Sequence, residues 1–318
     1  MVLKPDTRVY CLGRVLVDLY AEQLHTPLAR VQSFRKYLGG SAGNTAFGLG
    51  RLGAWAGLIS RVGPDEFGDF LLAELQGAGV DTEMVRRDPR YPTALAFGAL
   101  FPPGDSKVLF YRKPCADNHL EIGDIIEERL GGMLVVAATA LAESPVREAA
   151  LYALHINRRR GGVNVVDVDW RPGLWADPRA ALPYYRAALG LTDIVLANEA
   201  ELAFAGESDD PPTAAANILA LGPRQVVAKR GGAGVLIFGE GGPLQVPPFR
   251  VEVMNTLGAG DGFGAAYCFG LLQGWPTERC ATFAAAAGAI VVSRHSCSQA
   301  MPTRAEVEQL MAAQGRAY

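Results

Sequence analysis

Between residues 133 and 229 the chain alternates short apolar runs with stretches of helical periodicity. The runs are Met133 to Ala137, Val163 to Val168, Ile194 to Ala197 and Gln225 to Lys229. Helices are expected from Pro145 to Arg159 and through Tyr184 to Leu189. Strands apolar on both faces need cover on both faces, and parallel neighbours need a crossover, usually a helix. The pattern therefore predicts an α/β fold with a mainly parallel sheet between helical layers. Val9 to Leu12, ending at Gly13, and Trp55 to Val62 read as further strands, with helices over Ala42 to Leu52 and Glu66 to Ala78. Later come a strand over Gly234 to Phe238, a helix over Gly262 to Leu272 and another from Thr277.

Two stretches, about 15–38 and 91–112, break this rhythm. They hold strand-like runs without intervening helices: Val15 to Tyr20, Ala94 to Leu100, and Lys107 to Arg112 beyond the turn Pro102-Pro103-Gly104-Asp105. They predict one small sheet lying over the main sheet as a lid, within a single domain spanning 1–318. The stretch Gly206 to Thr213, with Asp209-Asp210-Pro211-Pro212, reads as a surface connector.

The formal net charge is −3. No basic excess exists to neutralise phosphates, which argues against nucleic acid or a membrane surface as partner. Arg158-Arg159-Arg160 is the only dense basic cluster and reads as a solvated helix end. The apolar run Ala284 to Val292 is closed by Arg294 and His295, too short to span a membrane. The five cysteines form no CxxC pair, so zinc-site spacing is absent. With a short charged N-terminus in place of a signal peptide, they suggest reduced thiols and a cytoplasmic protein.

The richest chemistry lies in Met254-Asn255-Thr256-Leu257-Gly258-Ala259-Gly260-Asp261-Gly262-Phe263, a polar, glycine-rich lead into an apolar helix. The first N–H groups of a helix lack internal acceptors and, with the helix dipole, form an anion site. Asp261 sits at that turn. It could simply cap the helix, or it could take a proton from a hydroxyl while the amides hold the charge of a transferred phosphoryl group. A second element, Gly39-Gly40-Ser41-Ala42-Gly43-Asn44, has Asn44 either as a helix cap or as a hydrogen-bonding group for a polyhydroxylated ligand.

Two patterns compete. Gly48-Leu49-Gly50-Arg51-Leu52-Gly53 matches GxGxxG but ends a helix rather than opening one, which discounts a dinucleotide fold. Gly39-Gly40-Ser41-Ala42-Gly43 matches GxSxG and leaves a serine hydrolase acting through Ser41 as an alternative, although His119, His155 and His295 lie in no matching context. No Walker A pattern is present, so phosphate binding would rest on the Gly258 loop.

These elements resemble the two signatures of the ribokinase-like (PfkB) carbohydrate kinases. The first runs from Gly39 and Gly40 through Asn44 and Arg51-Leu52-Gly53 to Val62-Gly63-Pro64-Asp65-Glu66-Phe67-Gly68, and the second is Gly258 to Asp261 with its helix. Asn198-Glu199-Ala200-Glu201 resembles the family's N-x-x-E element, and Lys229-Arg230-Gly231-Gly232-Ala233-Gly234 its nucleotide-side loop. The resemblance implies a three-layer α/β/α fold with a small β lid, and a kinase using ATP and Mg2+. Asp261 would be the base, and Gly258, Ala259 and Gly260 the anion hole. Asn198, Glu201, Lys229, Gly231, Gly232 and Gly234 would serve the nucleotide, with Glu201 near the metal through water. Asp18, Gly39, Gly40 and Asn44 would bind the acceptor. Many members carry Asp where this chain has Asn255, tied to a monovalent cation, so the resemblance leaves a K+ requirement in doubt.

Further stretches are similar to one branch, the 5-dehydro-2-deoxygluconokinases. They are Cys11-Leu12-Gly13-Arg14 with Asp18-Leu19-Tyr20, Tyr111-Arg112 with Cys115-Ala116-Asp117, Asp167-Val168-Asp169-Trp170-Arg171-Pro172, and Ser293 to Cys297. A sugar-acid acceptor suits the guanidinium groups of Arg112 and Arg171, which can bind a carboxylate through paired hydrogen bonds, and Tyr111 could stack on it. The resemblance keeps 2-keto-3-deoxygluconate, ribose and fructose as alternative acceptors, and an open lid edge would suit a homodimer.

Overall fold

The computed structural model describes residues 6–103 and 106–316, so Gly104 and Asp105 of the expected turn lie outside the described residues. In chain order the strands are β1 (Val9–Leu12), β2 (Leu16–Ala21), β3 (Phe34–Gly39), β4 (Ala56–Val62), β5 (Val85–Arg87), β6 (Leu95–Ala99), β7 (Lys107–Tyr111), β8 (Met133–Ala137), β9 (Val163–Asp167), β10 (Ile194–Asn198), β11 (Gln225–Lys229), β12 (Val235–Gly239) and β13 (Leu244–Val246). The helices are α1 (Ser41–Arg51), α2 (Glu66–Gly77), α3 (Val146–Arg159), α4 (Leu182–Leu189), α5 (Glu199–Gly206), α6 (Pro211–Leu219), α7 (Ala259–Leu272), α8 (Thr277–Val292) and α9 (Arg304–Ala313).

The main sheet runs β13-β12-β11-β10-β9-β8-β1-β4-β5, parallel from β11 to β5 and antiparallel only at β12 and β13. Alternate side chains enter two separate cores. Val9, Cys11, Met133, Val135, Ile194 and Leu196 face one core, shared with α1, α7 and α8. Tyr10, Leu12, Leu134, Val136, Val195 and Ala197 face the other, shared with α3 to α6. This is the three-layer arrangement that the doubly apolar strands require.

The second sheet has the order β3-β2-β6-β7 and joins both excursions from the main rhythm. β2 pairs antiparallel with β3 and parallel with β6, and β6 pairs antiparallel with β7. One expectation fails: the connector over Gly206 to Thr213 already contains the start of α6. Asp210 caps that helix by accepting from the Thr213 N–H, with Pro211 and Pro212 in its first turn, where a missing N–H costs nothing. The helix expected from Gly262 begins earlier, at Ala259. As expected, Arg158 and Arg159 lie in the last turn of α3.

β1 sits where the strand order changes direction, with β8 on one side and β4 on the other. Ligands in such sheets gather beyond the carboxyl ends of strands at this switch point. Arg14 follows β1, Thr139 follows β8, and Asp167, Asn198 and Lys229 are the last residues of β9, β10 and β11. Asn198 and Lys229 lie side by side in register.

Candidate active site

The N-terminus of α7 begins the site. Gly258 is its N-cap at φ 80°, and no side chain caps the helix. A Cβ on Gly258 would stand 2.9 Å from Cβ of Cys297, so both conformation and space require glycine. Asp261 lies inside the first turn, and its carboxylate accepts a hydrogen bond from Nδ2 of Asn44 at 2.8 Å. It is therefore not a cap. Asn44 is not one either: α1 is capped at Gly40, with φ 87°, and Asn44 lies one turn in.

Small residues bring these two side chains together. Asn44 and Gly48 share a face of α1, as Asp261 and Ala265 share a face of α7. A Cβ on Gly48 would stand 2.9 Å from Cβ of Ala265, so the helices pack backbone to backbone at that point. The GxGxxG look-alike is thus structural. Gly48 packs on α7, and Gly53, at φ 88°, lies just beyond the C-cap Leu52 of α1.

A cleft of about 820 Å³ opens before α7 and is lined by Gly258, Ala259, Gly260, Asp261, Lys229, Asn198, Glu201, Asp167, Asp169, Arg171 and Ser41. Gly231, Gly232 and Gly234 line it further out, and Val251, Val253, Ala285, Ala289 and Val292 give it an apolar wall that sequence reasoning missed. Nζ of Lys229 bonds Asp167 Oδ2 at 2.7 Å and would stand 3.4 Å from a Cβ on Gly260. A fixed cation therefore flanks the helix N-terminus.

Asn198 and Glu201 form a reciprocal capping box. The Asn198 N–H donates to Glu201 Oε2 at 2.7 Å, and the Glu201 N–H donates to Asn198 Oδ1 at 2.9 Å. The N-x-x-E spacing is thus first a helix start, one that also turns Glu201 Oε1 towards Arg171 Nη1, 3.9 Å away. Asp169, in a left-handed conformation at φ 36°, gathers Ser41 Oγ at 2.5 Å, Thr139 Oγ1 at 3.1 Å, Arg14 Nη2 at 3.3 Å and Arg171 Nη2 at 2.7 Å. Ser41 therefore donates directly to a carboxylate, and no histidine lines the cleft.

The carboxyl groups differ sharply in acidity. Burial and the neighbouring Asp169 push Asp261 up to about 7, against the pull of the Asn44 hydrogen bond and Lys229. Burial likewise raises Glu201 to about 7, opposed by Lys229. Asp169 is held below its ordinary value despite burial, because Arg171 and Arg14 face it and Ser41 and Thr139 donate to it.

The residues expected on the acceptor side lie in and beside the second sheet, Asp18 in β2, Gly39 at the end of β3 and Tyr111 at the end of β7. Asp18, raised to about 6 by burial, accepts from the Tyr20 hydroxyl at 3.1 Å, and that hydroxyl also lies 2.6 Å from Cys297 Sγ. A Cβ on Gly39 would collide with the Asp18 carboxylate, and one on Gly40 would stand 2.5 Å from the Arg14 carbonyl. Arg112 is buried, with Nη2 donating to Asp117 at 2.8 Å and to Asn118 at 2.6 Å. Tyr111 is 60% exposed and contacts Phe97 edge-on, away from the cleft. Asn255 is buried, accepting from the Leu257 N–H at 3.0 Å and donating to the His295 carbonyl at 3.1 Å.

Comparison with known proteins agrees with this geometry. The family model for pfkB family carbohydrate kinases matches residues 6–304. A 5-dehydro-2-deoxygluconokinase of Geobacillus kaustophilus is 37% identical over 308 residues, covering 94% of this chain and 92% of the relative. A PfkB protein from Polaromonas superposes with a TM-score of 0.85 at 30% identity, over 95% of this chain and 99% of that one. A Vibrio cholerae fructokinase bound to fructose, ADP and calcium does so with a TM-score of 0.88 at 26% identity, over 96% and 99%.

Proposed function

The chain belongs to the pfkB family of carbohydrate kinases, phosphotransferases acting on a sugar hydroxyl, and from that premise we propose that it transfers the γ-phosphoryl group of ATP to 5-dehydro-2-deoxy-D-gluconate, a step of inositol catabolism. One observation carries the chemistry. Asp261, the N-terminal amides of α7 and Lys229 face the same cleft. The ATP phosphates lie against the amides of Gly258, Ala259 and Gly260, with the base against the apolar wall beyond Gly231, Gly232 and Gly234. Asp261 takes the proton of the attacking hydroxyl. The amides and Lys229 hold the charge that develops on the transferred group, in a site that needs no reorganisation to do so.

Mg2+ suits this donor set. Mg2+ keeps most of its waters and binds chiefly through phosphates, with one or two carboxylates, and Glu201 and Asp167 line the cleft beside the α7 amides. Glu201 has one oxygen outside its capping bond and would reach the ion through water. The ion would supply positive charge that neutralises the phosphates. Asn255 supplies an amide donor to the His295 carbonyl, so we assign no K+ requirement.

The acid acceptor is supported by similarity to 5-dehydro-2-deoxygluconokinases and by Arg112, a buried guanidinium on the acceptor side. Both arginines pair with an acid, Arg171 with Asp169 and Arg112 with Asp117, but Arg171 lines the phosphate cleft, so carboxylate recognition falls chiefly on Arg112. Asp18, Gly39, Gly40 and Asn44 hold the sugar hydroxyls. β7 leaves Leu109, Phe110 and Tyr111 about half exposed on an open sheet edge, which supports a homodimer formed through the lid. No helix among the described residues is long and apolar enough to cross a membrane, and all five cysteines are free, as a reducing compartment would keep them. A panel of keto-deoxy sugar acids, ribose and fructose, tested with ATP and Mg2+, decides the acceptor. Preference for a neutral sugar would overturn it.

A further inference from the structure

Among the described residues five buried side-chain polar atoms lack a hydrogen-bond partner: Arg14 Nε, Arg112 Nε, Asp117 Oδ1, Asn44 Oδ1 and Ser298 Oγ. Such orphans are costly, so each calls for an explanation. Four of them belong to one neighbourhood. The Arg14 guanidinium is within electrostatic reach of Arg112, Asp117, Asp169 and Asp18. Its backbone carbonyl receives the Gly43 N–H at 3.1 Å, which fixes it against the loop that carries Asn44.

Two like charges buried together need anions. Arg14 uses Nη2 on Asp169, and Arg112 uses Nη2 on Asp117 and Asn118. Each keeps its Nε–H uncommitted, and both arginines are only 7% exposed. Each uncommitted Nε–H calls for an acceptor, and a carboxylate offers two oxygens to two guanidinium groups. We propose that Arg14 is a specificity-determining residue which, with Arg112, recognises the carboxylate of the acceptor. This rests on the acid-acceptor reading above and names its second guanidinium. The orphan oxygens of Asp117 and Asn44 then accept from hydroxyls of the same molecule. Arg14 immediately follows β1, at the switch point of the sheet, so a rigid strand end aims it.

The test compares 5-dehydro-2-deoxy-D-gluconate with its neutral counterpart, the carboxylate replaced by CH2OH, on the wild type, Arg14→Met and Arg14→Lys. Arg14→Lys keeps a cation opposite Asp169 while losing the fork, and guards against misfolding of the methionine variant. The wild type should prefer the acid. In both variants KM for the acid should rise about ten- to a hundredfold, the worth of a charge-assisted hydrogen bond, with KM for ATP unmoved and the acid-to-neutral ratio collapsing. A ratio kept at its wild-type value in Arg14→Lys would overturn the proposal and leave Arg14 as a positioning residue for Asp169. A wild type indifferent to the carboxylate would instead remove the acid-acceptor reading, and this proposal with it.

Discussion

The acidity of Asp261 offers the most direct probe of the chemistry. With a value of about 7, its carboxyl is about 90% ionised at pH 8 and about 10% at pH 6. Only the ionised form accepts the hydroxyl proton, so kcat/KM should fall nearly tenfold between those pH values. The perturbation that tests the assignment is Asn44→Leu, close in size and apolar. It removes the Asn44 donor to the Asp261 carboxylate together with the orphan oxygen Oδ1. A hydrogen bond to a charged group is worth about 1.5–3 kcal/mol, and about 1.4 kcal/mol corresponds to one pH unit. The acid limb should therefore move upward by about 1 to 2 units. The assay is kcat/KM with the acceptor, from pH 5 to 9, with ATP and Mg2+ saturating. A limb that stays in place, or moves downward, would refute Asp261 as the titrating base.

Five further outcomes follow from the same geometry. Asp261→Asn should cost at least about a hundredfold in kcat, the scale of a lost general base, with nucleotide affinity by calorimetry retained. Because burial raises the folded-state value of Asp261 above its unfolded one, ionisation destabilises the fold as pH rises from about 4 through 7; Asp261→Asn should thus melt higher than the wild type at pH 8, with the gap closing towards pH 4. Lys229→Met should lower kcat by about a hundredfold or more, since it removes the cation beside the α7 amides, and a change confined to the acceptor KM would contradict this. Gly258→Ala should lower both the melting temperature and kcat, because φ 80° and the 2.9 Å approach of Cys297 leave no room for a side chain; and replacing K+ by Na+ should leave turnover unchanged.

Much of the fold was legible because doubly apolar strands leave few alternatives. Val9 to Leu12 and Met133 to Ala137 read as buried strands and are fully buried neighbours in the sheet. The second sheet was legible as a break in rhythm. α6 was not, because a pair of prolines after two aspartates signals a turn as strongly as a helix start, and only the N-cap bond from the Thr213 N–H to Asp210 distinguishes them. Around the site, glycines in sequence marked the loops that approach a ligand. Asp169 carried a weaker signal, lying within a stretch similar to one branch of the family, and Thr139 and the apolar wall carried none. Their roles arise from strand ends far apart in sequence.

The cleft also shows why a sequence full of acidic residues does not reveal which one is suited to act as a base. Asp167, Asp169, Glu201 and Asp261 share one wall, and composition treats them alike. Position divides them. Asp169 is faced by two guanidinium groups and two hydroxyl donors, so it stays ionised and serves as a fixed anion that orders Ser41, Arg14 and Arg171. Asp167 is spent on Lys229, and Glu201 gives one oxygen to the cap of α5. Burial, with Asp169 nearby, lifts Asp261 to about 7 against its Asn44 donor, and burial lifts Glu201 as far; what separates Asp261 is its place in the first turn of α7, beside the amides. On the proposed assignment of Asp261 as base, the ionised Asp169 would tune it from a distance by repelling its charge, as paired carboxylates of unequal acidity do elsewhere.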